Sequence, residues 1–218
     1  MSEGPRGSGV TVSAVRELTE SYVPVDPVLL HAMTWGTELG VEPVRPGAGA
    51  VLRVLAAALS AKSAVEVGTG TGASGLWILP GMRPDGMLTT IDFEPEVQQL
   101  AKQAYAAAGH APGRTRVIAS DARDVLPRLA DAAYDLVFLD ATVEDHPAYV
   151  AVAHRILRPG GLVVVNGALG VDGRVADPSA QDEDTRTLRE LADVMRDHPG
   201  WTPCLIGAGD GLLCAARN

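Results

Sequence analysis

Cysteine is scarce. Cys204 and Cys214 are the two in 218 residues, too few for a disulfide scaffold. Basic charge is short as well. Lys and Arg number 18 against 27 Asp and Glu, which gives a net charge of −9 and a pI of about 5.0. A nucleic-acid backbone wants a basic stripe, so that class of partner is not expected. A small-molecule substrate remains open. No run of 18 apolar residues occurs, so no membrane-spanning helix is expected. The start, MSEGPRGSG, has no basic segment leading into an apolar stretch and does not read as a signal peptide. Neither an internal repeat nor an interdomain linker is visible. The expectation is a cytoplasmic protein with one domain overall, and 46% apolar residues suffice for a substantial core.

Against this background one stretch stands out: Ala64 to Gly72, AVEVGTGTG. Ala64 to Val67 is short, apolar and β-branched, as in a buried strand, and Glu66 interrupts it. Gly68, Gly70 and Gly72 follow at alternate positions. Ala73 to Leu79 then reads as the start of a helix. Strand, glycine turn, helix lets backbone N–H groups approach a ligand closely, although an ordinary tight turn has the same pattern. Met87 to Asp92 is a second strand ending in an acid. Asp92 stands twenty residues beyond Gly72, the spacing at which an acid meets a ribose hydroxyl pair in dinucleotide-type folds. Yet the loop is G-T-G-T-G rather than G-x-G-x-x-G, and Glu66 is foreign to the dinucleotide fingerprint.

Residues 1–42 read as a disordered start, Met1 to about Val10, followed by two helices, Val12 to Tyr22 and Asp26 to Leu39. Asp26-Pro27 is a cap followed by proline at the first helical position. The prolines of Glu42 to Pro46 impose an extended segment. Residues 43–218 read as an alternating core. Gly47 to Ser60 and Pro95 to Ala108 are amphipathic helices. Arg114 to Ala119 is the third strand. Ala122 to Ala130 is a helix that Pro127 must bend or break. Tyr134 to Leu139 is the fourth strand, and Asp145 to Leu157 a helix with Tyr149 and Val150 inward. A turn at Arg158 to Gly161 leads into the fifth strand, Leu162 to Val165. Gly167 to Ala180 is a long polar loop of the kind that often serves as a lid. After the helix from Asp182 to His198, two strands flank Ala208-Gly209-Asp210 as a hairpin. The class is α/β. With right-handed crossovers, a ligand belongs at the carboxyl ends of the first four strands. Glu66, Asp92, Asp121 and Asp140 fall there. One acid at a strand end is ordinary surface chemistry; four in register with one crevice point to a ligand.

Five segments, VEVGTGTGASGLW, LTTIDFEPE, DARDVLPRL, YDLVFLDA and ILRPGGLVVV, together resemble the small O-methyltransferases of the catechol and caffeoyl-CoA type. These belong to the class I S-adenosylmethionine (SAM) enzymes. The resemblance spans roughly Pro43 to Arg217. It implies a Rossmann-like, seven-stranded sheet closed by an antiparallel hairpin, with SAM as cofactor and a small hydroxylated, aromatic acceptor. It also implies that the N-terminal helices cover the site and help form a homodimer, although simple packing on the sheet fits them equally. The resemblance carries roles to individual residues. Glu66, Gly68, Thr69, Gly70 and Gly72 form the cofactor motif, with the glycines beside the methionine part. Ser74 binds its carboxylate. Asp92 holds the ribose, and Asp121 and the N–H of Ala122 meet the adenine. Phe93 lies on the adenine face or else in the core. Val44 brings backbone over the cofactor. Asp140 faces the methionine ammonium or the acceptor.

Departures from the family pattern bear on mechanism. Members often carry D-A-D-K after strand four and D-N after strand five, and the first Asp with the D-N pair holds a divalent metal. Here the corresponding residues are Asp140-Ala141-Thr142-Val143 and Asn166-Gly167. Metal assistance is therefore doubtful, and no metal ligands are assigned. A side chain must then take the hydroxyl proton: His146, Glu144 or Asp140 itself. The favoured function is SAM-dependent O-methyl transfer. A catalytically silent SAM-binding regulator also fits an intact cofactor motif beside an eroded metal site. A nicotinamide oxidoreductase is opposed by Glu66 and by the terminal hairpin.

Overall fold

In the strands, successive residues join two different apolar cores. Ala64, Leu136, Phe138, Val164 and Leu212 belong to one; Val65, Val67, Val137, Leu139, Val163 and Leu213 belong to the other. A sheet covered on both faces needs apolar side chains at every position, which is why these strands read as continuous apolar runs. The computed structural model describes residues 11–218; the start expected to be disordered lies outside the described residues.

The elements run α1 (Val12–Ser21), α2 (Pro27–Glu38), α3 (Pro46–Ala58), β1 (Ser63–Val67), α4 (Ala73–Gly81), β2 (Met87–Asp92), α5 (Pro95–Ala107), β3 (Thr115–Ala119), α6 (Ala122–Val125), β4 (Tyr134–Leu139), α7 (His146–Ile156), β5 (Leu157–Asn166), α8 (Glu183–Asp197), β6 (Trp201–Ile206) and β7 (Leu212–Arg217). The sheet has seven strands in the order β3-β2-β1-β4-β5-β7-β6. The first five are parallel, and β7 enters antiparallel between β5 and β6. This is the class I methyltransferase sheet. The order reverses at β1, whose neighbours are β2 and β4, so a crevice opens at the carboxyl ends of those strands.

One core takes residues from α2, α3, α4 and α5, and the other from α6, α7 and α8. Asp26 caps α2 by accepting from the N–H groups of Val28 and Leu29 at 2.9 and 3.0 Å, as the Asp-Pro signal implies. Pro127 has the expected effect: α6 lasts four residues, and a 3-10 turn covers Leu126–Arg128. Proline supplies no N–H there, and its ring collides with the preceding turn. The Arg158 to Gly161 turn differs from expectation by lying within β5. Leu157 pairs with Tyr134 and Leu162 with Leu136, so β5 bulges around Gly160, whose φ is +74°.

The N-terminal helices pack on the scaffold. On α1, Arg16 donates to the Asp210 carboxylate at 3.0 Å. Glu20 accepts from the N–H groups of Gly47 and Gly209 at 2.8 and 3.0 Å. These contacts tie α1 to the hairpin turn and to the start of α3. On α2, Leu29 and Ala32 join the core. No helix among the described residues is long and apolar enough to cross a membrane.

Candidate active site

The crevice holds a cavity of about 470 Å³. Its floor is the glycine turn after β1. The N–H of Gly68 bonds the Ile91 carbonyl at 2.9 Å, and the Asp140 N–H bonds the Val67 carbonyl at 2.9 Å. The turn is thereby stitched to both neighbouring strands. Gly68 and Gly70 have φ of +92° and +49°, values that disfavour any side chain. The Gly70 N–H donates to Asp92 Oδ2 at 2.9 Å. Behind the turn, Thr71 donates to the Ala32 carbonyl at 2.7 Å, so α2 braces it.

The cavity is lined by Val44, Gly68, Thr69, Gly70, Ser74, Asp92, Phe93, Asp121, Ala122 and Asp140, all candidates from the sequence. Ser74 lies in the first turn of α4, where unpaired N–H groups favour an anion. Asp92 sits at the end of β2, and its Oδ1 accepts the Glu94 N–H at 3.0 Å. Phe93 is 73% exposed, so it belongs to the rim and not to the core. Asp121 caps α6 through the Arg123 N–H at 2.8 Å and pairs with the Arg123 guanidinium at 2.9 Å. That pairing holds the Asp121 carboxyl below its ordinary range.

Three candidates are placed elsewhere. Glu66 is 0% exposed and does not line the cavity. Strand alternation turns it away, into the core beneath α4 and α5. Gly72 does not line the cavity either. At φ +91° it lets α4 approach α5; a β-carbon there would stand 3.0 Å from Ala101 Cα. This glycine serves helix packing. His146, a candidate base, is 2% exposed and absent from the lining. It opens α7 directly after a 3-10 turn at Val143–Asp145, which points its ring inward. Neither ring nitrogen has a partner, and burial pushes its pKa down to about 4. A neutral, enclosed imidazole does not reach a substrate in this cavity.

Asp140 is the remaining acid at the strand ends. Asn166, at the end of β5, donates its amide to Asp140 Oδ1 at 2.9 Å. Burial pushes the Asp140 carboxyl up to about 6, and Glu42 adds a smaller push in the same direction. Several lining residues are given no role by the sequence: Glu42, Thr71, Arg123, Thr142 and Asp145. Tyr149 reads from the sequence as an inward residue of its helix, and it also faces the cavity. Neither α1, nor α2, nor the loop from 167 to 180 contributes to the lining. The loop does not lie over the site as a lid. Arg189 of α8 ties it down by donating to the Val175 and Ala180 carbonyls at 3.0 and 2.8 Å.

Oxygen donors for a divalent metal are few here. Asp140 offers one carboxylate, already bonded to the Asn166 amide group, and Gly167 offers no side chain. Among the described residues no group of three His, Cys, Asp or Glu side chains is placed to hold an ion. Magnesium wants octahedral oxygen coordination, commonly with one or two carboxylates.

Comparison with known proteins agrees with this geometry. The O-methyltransferase family profile matches residues 29–218. A Mycobacteroides abscessus protein, provisionally named an O-methyltransferase, is 49% identical over 207 residues, covering 95% of this chain and 96% of its own. Among solved structures, the O-methyltransferase TomG of Streptomyces achromogenes, involved in tomaymycin synthesis and solved in complex with SAM, is 29% identical. Its TM-score is 0.82, with 94% of this chain and 96% of that one covered. The cofactor-bound Rv0187 from MTB is 30% identical with a TM-score of 0.82, covering 96% and 98%. The chain belongs to the O-methyltransferase family.

Proposed function

We propose that the cavity binds SAM and that the protein transfers its methyl group to a hydroxyl of a small aromatic acceptor. The observation that carries this is the convergence of the Gly68–Gly70 turn, Ser74, Asp92, Asp121 and Asp140 on one cavity. The residues suit the donor. Asp92 offers acceptor oxygens to a hydroxyl pair, Ser74 and the α4 N-terminus suit a carboxylate, and Asp121 with Ala122 suits an adenine edge. When bound, SAM supplies an activated methyl group, so the protein must align the acceptor, exclude water and take a proton.

Asp140 is the proposed proton acceptor. It lines the cavity, and its raised pKa makes it a better base than an ordinary aspartate while leaving it ionised at neutral pH. Asn166 fixes one oxygen of its carboxylate and leaves the other for the acceptor. The test is incubation with SAM and a panel of catechols and hydroxyarenes, read by mass. Gain of one methyl group by an acceptor supports the proposal. Tight SAM binding with no acceptor methylated would favour a silent SAM-binding protein.

A further inference from the structure

The Glu66 side chain lies on the α4–α5 side of the sheet, opposite Thr90 of β2 in the strand register. Thr90 donates to Glu66 Oε2 at 2.5 Å. With that hydrogen committed, the 2.7 Å contact between the Thr69 and Thr90 hydroxyls requires Thr69 to donate. Gln98 of α5 in turn donates its amide to Thr69 at 3.1 Å and to the Ile118 carbonyl at 2.9 Å. One Gln98 N–H and the Thr69 and Thr90 hydroxyls therefore run toward Glu66, and the chain passes through Thr69, a residue of the cavity floor. Glu66 Oε1 has no partner. A half-satisfied carboxylate in a dry core is costly unless it carries a proton.

We infer that Glu66 is a positioning residue which carries a proton in the empty protein, gives it up when the positively charged methyl donor binds, and so makes the site prefer donor over spent product. This rests on the proposed function. SAM bears a sulfonium charge that its product, S-adenosylhomocysteine, lacks; the two are otherwise held by the same groups. The groups facing Glu66 contribute no positive charge of their own. Thr90 and Asp92 belong to β2, Phe138 and Asp140 to β4 and its end, Ser74 to α4, and Gln98 and Tyr105 to α5. Tyr105 is buried with an unpartnered hydroxyl and is held neutral, since burial and Glu66 raise its pKa. Burial pushes the Glu66 carboxyl up to about 7 against the Ser74 and Thr90 hydroxyls, which pull it down, and Asp140 and Asp92 add smaller upward pushes by repelling its charge. A cation between those two strand ends offsets the repulsion and attracts the Glu66 charge directly. The product keeps the α-ammonium but lacks the sulfonium charge, so it does less of both. Below about pH 6 Glu66 keeps its proton with either ligand, and discrimination is weak. As pH rises through 7 the donor gains more affinity than the product does.

The readout is calorimetric and needs no turnover. SAM and S-adenosylhomocysteine are titrated at pH 7 in phosphate and in Tris, whose protonation enthalpies differ. The expected result is a SAM binding enthalpy that depends on the buffer, equivalent to release of about half a proton, with a markedly smaller dependence for the product. Glu66→Gln, which keeps the shape without the titration, should lose that difference. Should the variant fail to fold, the wild-type ratio of SAM to product affinity is measured from pH 6 to 8, with a rise of several-fold expected. A buffer-independent SAM enthalpy, an unchanged difference in Glu66→Gln, or a flat affinity ratio would overturn the inference alone. Absence of binding by both ligands would overturn the proposed function with it.

Discussion

Gly68 and Asp140 are pressed together at the mouth of the cavity. A β-carbon on Gly68 would fall inside the contact radius of the Asp140 carbonyl oxygen, and the Gly68 φ of +92° is left-handed. Gly68→Ala is therefore expected to cost about 1–2 kcal/mol for the backbone conformation alone. Relief of the clash would also displace the end of β4 and, with it, the Asp140 carboxylate. Urea unfolding should show a lowered midpoint, and titration should show weakened SAM binding. If both matched wild type, the close approach would play no part in the site.

Asp92→Ala should weaken SAM binding more than it weakens folding. The carboxylate accepts from the Gly70 and Glu94 N–H groups and faces the cavity, where a ribose hydroxyl pair is expected. Loss of a charge-assisted bond to the ligand costs about 1.5–3 kcal/mol, roughly tenfold to a hundredfold in affinity. The lost Gly70 contact should loosen the turn and add to this. Calorimetric titration giving wild-type affinity would reject the assignment.

These two residues mark what was legible in the sequence. Asp92 was, because strand, acid and spacing are local features. So were the strands, most helix boundaries and the proline break at Pro127. Gly68 was legible as a glycine of the turn after the first strand, but not as the neighbour of Asp140, because that contact depends on how β4 docks beside β1. Gly72 has the same local signature and a different task, set by its packing on α5. His146 was a candidate base from its place after strand four, but it opens α7 behind a 3-10 turn and is buried. The loop from 167 to 180 looked free because its anchor, Arg189, is on the following helix. For Gly68 and Gly72 the decisive partner is remote in sequence.

Stability should depend on pH through Glu66. Its pKa is raised from 4.5 to about 7 in the folded chain. A raised carboxyl contributes stability that is fully present below the unfolded value, about 4.5, and lost as pH rises through the folded one. At pH 8 wild type should have forfeited about 3 kcal/mol of that contribution. Glu66→Gln has no such dependence. Relative to wild type, the variant should gain stability between pH 5 and pH 8 in urea unfolding without ligand. Parallel pH profiles for the two proteins would contradict the buried proton.

Cys204 and Cys214 are directly opposed across the β6–β7 pair, and both are free thiols, Cys204 exposed and Cys214 buried. Burial, with a smaller effect from Cys204, pushes the Cys214 thiol up to about 12, so it supplies almost no thiolate at neutral pH. A thiol reagent at pH 8 should modify Cys204 in the folded protein and Cys214 only after unfolding. Thiol counting under denaturing, non-reducing conditions should find both. A count of zero would show that the pair closes into a cross-strand disulfide.

Catalysis is expected to proceed without Mg²⁺ or a similar ion. Asp140 can give one carboxylate, but its Oδ1 already accepts from the Asn166 amide at 2.9 Å, which turns the donor side of that amide toward the place a cation would occupy. Gly167 supplies no ligand at all. Asp172, the nearest acid in the following loop, does not line the cavity. A neutral amide and water can complete a coordination shell but compensate none of the ion's charge, so affinity should be low. In place of a metal, the proposed acceptor of the hydroxyl proton is the Asp140 carboxylate, whose Oδ1 is bonded by Asn166. Once an acceptor is found, turnover is measured before and after EDTA, and again with Mg²⁺, Mn²⁺ or Ca²⁺ added back. Rates should agree across all conditions, and Asp140→Asn should lose about 10²–10⁴-fold in rate, the usual worth of a positioned base. Activity lost on chelation and restored by one of the ions would show that Asp140 and Asn166 still hold a metal, and the proton would then leave an acceptor oxygen acidified by that ion.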